Sequence, residues 1–201
     1  MRLAIGIIAI VGLVALHLAA LFALLHPNVS REYRAHYMER TSTDWHVQHY
    51  PSTPEEGIDL ARPGWPDFVE YSYGISKVVG EGRWTDTQLG LRSGFQLKRS
   101  FSGPACVVLN ATPLDSARVQ DVTLAFGDQT KKISFAQSRE FQPYEVDFNL
   151  TRPASRLELR FPKPLPRVDR NNPRQFGVEL NKVQIFSQSC SELSELVGPS
   201  H

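Results

Sequence analysis

Residues 3–25, LAIGIIAIVGLVALHLAALFALL, run without a single charge, and the chain beyond them is polar and globular in composition. As a helix the run is about 34 Å long at 1.5 Å per residue, enough for the roughly 30 Å hydrocarbon core of a bilayer. That length predicts a transmembrane anchor over 3–25 carrying one globular domain. A cleavable signal has an apolar stretch of roughly 7–15 residues and a small-residue cleavage site. This run is longer and stays Leu-rich to its end, so it reads as an uncleaved anchor. Arg31, Arg34 and Arg40 follow the span, and counted alone they favour a cytoplasmic C-terminus. The short N-terminal tail with Arg2 and the β-rich composition downstream favour an exported domain, which is the orientation expected here.

About 175 residues remain outside the run, one domain's worth. Lys and Arg number 22 against 21 Asp and Glu, a net charge of +1 with no basic stripe. Nucleic acid is therefore excluded as a partner on electrostatic grounds. No G-x-S-x-G, P-loop or H-E-x-x-H is present, and the chain reads as no enzyme. Glu81 and Asp86 are the nearest approach to a carboxylate pair. They share one turn, a poor basis for two carboxyls held about 5–9.5 Å apart across a glycosidase cleft. Cys106 and Cys190 either form one disulfide, stabilising by roughly 3–5 kcal/mol in the chain-entropy model, or stay two thiols.

Residues 26–66 read as a juxtamembrane stretch and linker. Tyr33, Tyr37 and Trp45 suit the headgroup level of a bilayer, and Pro51 to Pro66 is rich in Pro, Gly and acidic residues, as turns are. From residue 67 the pattern changes to short strands, at 68–79, 89–97, 105–111, 119–126, 132–135, 144–150, 157–161 and 176–186. Strands spaced about 8–12 residues apart and broken by Pro, Gly and Asp/Asn turns predict an all-β fold, a jelly-roll-like antiparallel β-sandwich over 67–188. Pro162, Pro164 and Pro166 exclude a strand between the last two. Residues 189–201 are expected to be a flexible tail.

Two segments stand out together: Gly80-Glu81-Gly82-Arg83-Trp84-Thr85-Asp86, and Asn171-Asn172-Pro173-Arg174-Gln175-Phe176-Gly177-Val178-Glu179-Leu180. With the strands between them, they resemble the β-sandwich domain at the C-terminus of periplasmic-glucan phosphoglycerol transferases and related membrane glycosyltransferases. The resemblance covers roughly residues 68–187. Asn171 or Asn172 stands where that family has an acidic residue, and Phe176 where it has an aliphatic one. The transferases' catalytic domain is absent, so the resemblance implies an accessory module.

The motif residues admit three roles. In a structural one, Trp84 caps the core and Arg174 pairs with Glu81 or Asp86. In a glycan-binding one, Trp84 or Trp65 stacks on a sugar ring while Arg83, Asp86 and Arg174 bond hydroxyls. In a third, Glu81, Asp86 and backbone carbonyls hold calcium. The expectation is a non-enzymatic accessory protein of bacterial envelope glycan synthesis. It would sit in the inner membrane with its domain in the periplasm, its partners being the bilayer and a glycan or a membrane glycosyltransferase. The alternative is a structural scaffold subunit of an envelope or secretion complex, acting through protein contacts.

Overall fold

The computed structural model describes residues 2–25, 29, 33–42, 48–114, 122–136, 138–168, 171 and 173–197; for 2–9 and 196–197 it describes the backbone alone. Trp45 and Asn172 lie outside these residues. The apolar run forms helix α1 (Arg2–Leu25). From Ile10 to Leu25 its large apolar side chains are 52–77% exposed. The one polar group among them, His17, spends its Nδ1 on the Leu13 carbonyl at 2.8 Å. Among the described residues no helix is long and apolar enough to cross a membrane.

A π-helical turn at Arg34–Met38 leads to the strands: β1 (His49–Tyr50), β2 (Ile58–Asp59), β3 (Trp65–Pro66), β4 (Val69–Tyr73), β5 (Ile75–Val79), β6 (Gly82–Asp86), β7 (Arg92–Pro113), β8 (Thr123–Phe126), β9 (Gln129–Lys132), β10 (Gln142–Arg160) and β11 (Phe176–Phe186). A short helix, α2 (Cys190–Val197), ends the described chain. Strands β1 and β3 form a small parallel pair; the other nine make one continuous antiparallel sheet.

That sheet is folded on itself into a sandwich. The long strands β7 and β10 pair along almost their whole length. The first part of β7 runs beside β4, and the last part of β10 beside β8 and then β9. The last part of β7 instead runs beside β11, followed by β6 and β5. The β7–β10 register shifts between Leu150 and Ala154, opposite Gly103 and Phe101. There the pair passes from one layer to the other, as strands do at sandwich corners. Phe95, Leu124, Leu157 and Leu159 of the first layer meet Leu109, Leu180 and Val183 of the second around one narrow void. Period-two alternation puts these residues inward and leaves the intervening ones on the outer faces.

The observed sandwich departs from the expected boundaries: the strand expected over 68–79 is divided at Gly74 into β4 and β5, β6 occupies 82–86 where no strand is expected, and β9 (Gln129–Lys132) ends where the strand expected over 132–135 begins. The breaks expected within 89–111 and 144–161 do not interrupt pairing, because Gly103-Pro104 and Pro153 sit at the corner where the long pair bends. The linker expected up to residue 66 is part of the fold from β1 onward. Ile58 and Leu60 are wholly buried, Trp65 is 2% exposed, and β2 pairs with β11. The tail expected to be flexible contains α2. Cys190 is bonded to Cys106 in the middle of β7, and its amide donates to the Asp147 carboxylate of β10 at 2.7 Å, so both central strands hold the helix.

Candidate functional site

The residues around Trp84 divide between the two sides of β6. Arg83 points inward and is 2% exposed, its guanidinium 4.2 Å above the ring of Trp65. Trp65 is itself packed edge-on against Phe95 in the core. Neither can touch a sugar, which corrects the expectation for both. Trp84 and Asp86 lie on the other side of the strand. Asp86 is fully buried, and its carboxylate accepts from Arg174 Nη1 at 3.0 Å and from the amides of Gln88 and Gln175 at 3.0 and 3.1 Å. It clamps the end of β6 to the chain entering β11. Trp84 is half-buried and stacks on Phe176, centroids 5.6 Å apart at 25°. Phe176, where the resembled domain has an aliphatic residue, is thus the partner of Trp84.

The calcium arrangement is not formed. Glu81 lies in the turn before β6 and Asp86 at its far end, about 16 Å away at the rise of a strand. The Asp86 oxygens are also already taken. Glu81 instead faces Glu179, whose carboxyl is raised above its ordinary pKa first by burial and then by the Glu81 charge.

The first layer carries a different constellation on its outer face. Tyr71 and Tyr73 on β4, Arg92 on β7, and Arg156 and Glu158 on β10 line a trough of about 340 Å³, closed on another side by Glu39, Thr41 and Leu91. The two phenol rings lie side by side, centroids 6.0 Å apart. Gly94 is paired with both Tyr73 and Glu158. A Cβ there would collide with the Leu157 carbonyl, and would stand 2.9 Å from the Glu158 Cβ. The missing side chain lets Glu158 lie flat beneath the tyrosines.

Glu158 is buried and fully engaged. The Tyr73 hydroxyl donates to Oε2 at 2.8 Å, Arg160 Nε donates to Oε1 at 2.7 Å, and Arg92 Nη1 stands 3.9 Å from Oε1. Burial, and next the Glu158 charge, push the Tyr73 hydroxyl far up, so it remains a protonated donor. Arg156 reaches the Tyr71 hydroxyl at 3.5 Å, its guanidinium carbon 5.6 Å from the centroid of the Tyr73 ring. The trough therefore combines two half-buried phenol rings with guanidinium and carboxylate groups held in fixed positions. Tyr71 and Tyr73 lie in the strand expected over 68–79, Glu158 and Arg160 in the one expected over 157–161 and Arg156 one residue ahead of it, but no sequence pattern marks that they meet.

No curated protein matches the chain. Among solved structures it is similar in outline to family 29 carbohydrate binding modules. An aspartate-to-alanine mutant of CBM29-2 shares 12% identity at a TM-score of 0.46 over 72% of this chain and 95% of that one. A further family 29 module shares 14% at 0.44 over 72% and 94%. A CBM29-2 mutant complexed with mannohexaose shares 13% at 0.40 over 69% and 94%. Residues 46–187, which hold every strand of the sandwich, match the family described as Domain of unknown function (DUF7024), and the chain belongs to that family.

Proposed function

We propose that this protein is a non-enzymatic glycan-binding module held at a membrane by α1, an accessory of bacterial envelope glycan synthesis that presents glycan to, or docks on, a membrane glycosyltransferase. The observation that carries the reading is the trough on the first layer. Sugars are bound by aromatic faces that cover their C–H surfaces and by fixed polar groups that bond their hydroxyls. Tyr71, Tyr73, Arg92, Arg156 and Glu158 supply both on a rigid sheet. The motif face contributes only Trp84 and the outer side of Arg174, since Asp86, Arg83 and Trp65 are spent inside the fold.

Anchoring is supported by the exposed apolar surface of α1, which has no place in water. Export is supported by the disulfide, which persists in oxidising compartments. The test is titration of the full chain, in micelles with a non-sugar headgroup, against a panel of envelope oligosaccharides. Saturable binding in the millimolar range or tighter, at least about −4 kcal/mol, is the expected result. A flat titration against the whole panel would move the protein to the scaffold role, with protein partners in place of a glycan.

A further inference from the structure

We propose that the trough takes an acidic glycan, with the carboxylate or phosphate group of one sugar held at Arg92 in a row of cations that crosses the sheet; the inference rests on the glycan reading above. The register makes the row. Arg92 of β7 stands directly opposite Arg160 of β10, Arg160 opposite Thr123 of β8, and Thr123 opposite Lys132 of β9. Residues opposite one another in antiparallel strands project from the same face as close neighbours. Arg92 lines the trough, so Arg160 and Lys132 share its outer face. Like charges directly opposite across two strands destabilise a sheet. The Arg92–Arg160 pair is therefore one that the fold alone does not favour.

Glu158 answers only one of the two. Its Oε1 accepts from Arg160 Nε at 2.7 Å, with Arg160 Nη2 at 2.5 Å, and its Oε2 accepts from the Tyr73 hydroxyl. Arg92 Nη1 stays 3.9 Å from Oε1, beyond hydrogen-bond reach, with 62% of its side chain exposed. Its donors face the trough. Arg156 brings a further guanidinium against Tyr71 and Tyr73. Glu39, on the facing wall, is the other acid that lines the trough. Among the described residues, the trough and the row beside it thus set Arg92, Arg156, Arg160 and Lys132 against Glu158 and Glu39, an excess of positive charge. Guanidinium forks bind carboxylate and phosphate well. The row that carries Tyr73 and Glu158 is paired at Gly94, two residues and about 7 Å along β7 from Arg92. A sugar ring against Tyr73 therefore has its acidic group within reach of Arg92.

The experiment titrates the full chain, in micelles of an uncharged non-sugar detergent at low ionic strength, with four probes: neutral hexasaccharides of glucose and of mannose, a hexasaccharide of galacturonic acid, and a mannose hexasaccharide bearing one 6-phosphate. The carboxylate and phosphate arms show which acid the subsite takes. The parent is expected to bind one of the acidic probes about tenfold more tightly than either neutral one, and added salt to narrow the gap. Arg92→Gln, a change at an exposed side chain, should remove most of that ratio. Lys77→Gln makes the same change of charge at an exposed position on β5, in the other layer, and should keep it. Neutral probes bound as tightly as both acidic ones, an unchanged ratio in Arg92→Gln, or an equal loss in Lys77→Gln overturns this inference and leaves glycan binding standing. Binding of none of the four overturns both.

Discussion

At the scale of residues, Glu158 is the keystone of the trough. Replacing it with Ala strips the Tyr73 hydroxyl and the Arg160 guanidinium of their acceptor, and should cost about 2–3 kcal/mol in denaturant unfolding. Glu158→Gln keeps an acceptor and should cost less; equal losses would mean that packing, and not the bonds, matters there. Glu179 makes the opposite contribution. Its folded pKa is raised, so whatever stability it brings is present below the unfolded pKa and is lost as pH rises through the folded one. Glu179→Gln should therefore raise Tm at pH 7 and leave it unchanged near pH 3, checked by thermal scans across that range. The reading of Arg156 to Arg160 shows what residue patterns reveal. The inward row Leu157, Leu159 was legible as core. The outward row acquires meaning only beside Tyr73, which is 85 residues away and arrives through β7.

At the scale of elements, alternation bounded by breakers was legible, and bends were not. Strand β11 runs Phe176–Phe186, as its alternation predicts. Strand β7 was divided because Gly and Pro at a sandwich corner look the same in sequence as Gly and Pro at a turn. The segment before β4 alternates only over Ile58-Asp59-Leu60, too short a stretch to stand out between Pro- and Gly-rich turns, and Trp65 stands alone. Helix α2 did carry a mark: Ser189 and Glu192 form a capping box, each amide bonded to the other's side chain at 2.9 and 3.3 Å. The disulfide ties this helix down across a separation of 84 residues. Reduction, or Cys190→Ser, should lower unfolding stability by about 2–4 kcal/mol, measured in denaturant with and without reductant. An unchanged midpoint would mean that the Asp147 bond and packing suffice to hold α2.

At the scale of the whole molecule, a sheet folded into a sandwich displays two outer faces of different character, one closed around Trp84 and Phe176 and the other open at the trough. In the proposed function, helix α1 holds the trough at a membrane. Leu13→Arg with Leu16→Arg should cost roughly 2.5–3.5 kcal/mol per charge on insertion, releasing the chain from membranes in an alkaline wash; retention of the double variant would contradict anchoring by this helix. The central claim is that glycan lies on the tyrosine face and not on the motif face. The measurement is the affinity of the full chain for its best neutral hexasaccharide in three forms: parent, Tyr71→Ala and Trp84→Ala. Tyr71→Ala is expected to lose about 1 kcal/mol of binding, roughly fivefold, while Trp84→Ala binds as the parent does. A loss confined to Trp84→Ala would contradict it and place the glycan on the opposite layer.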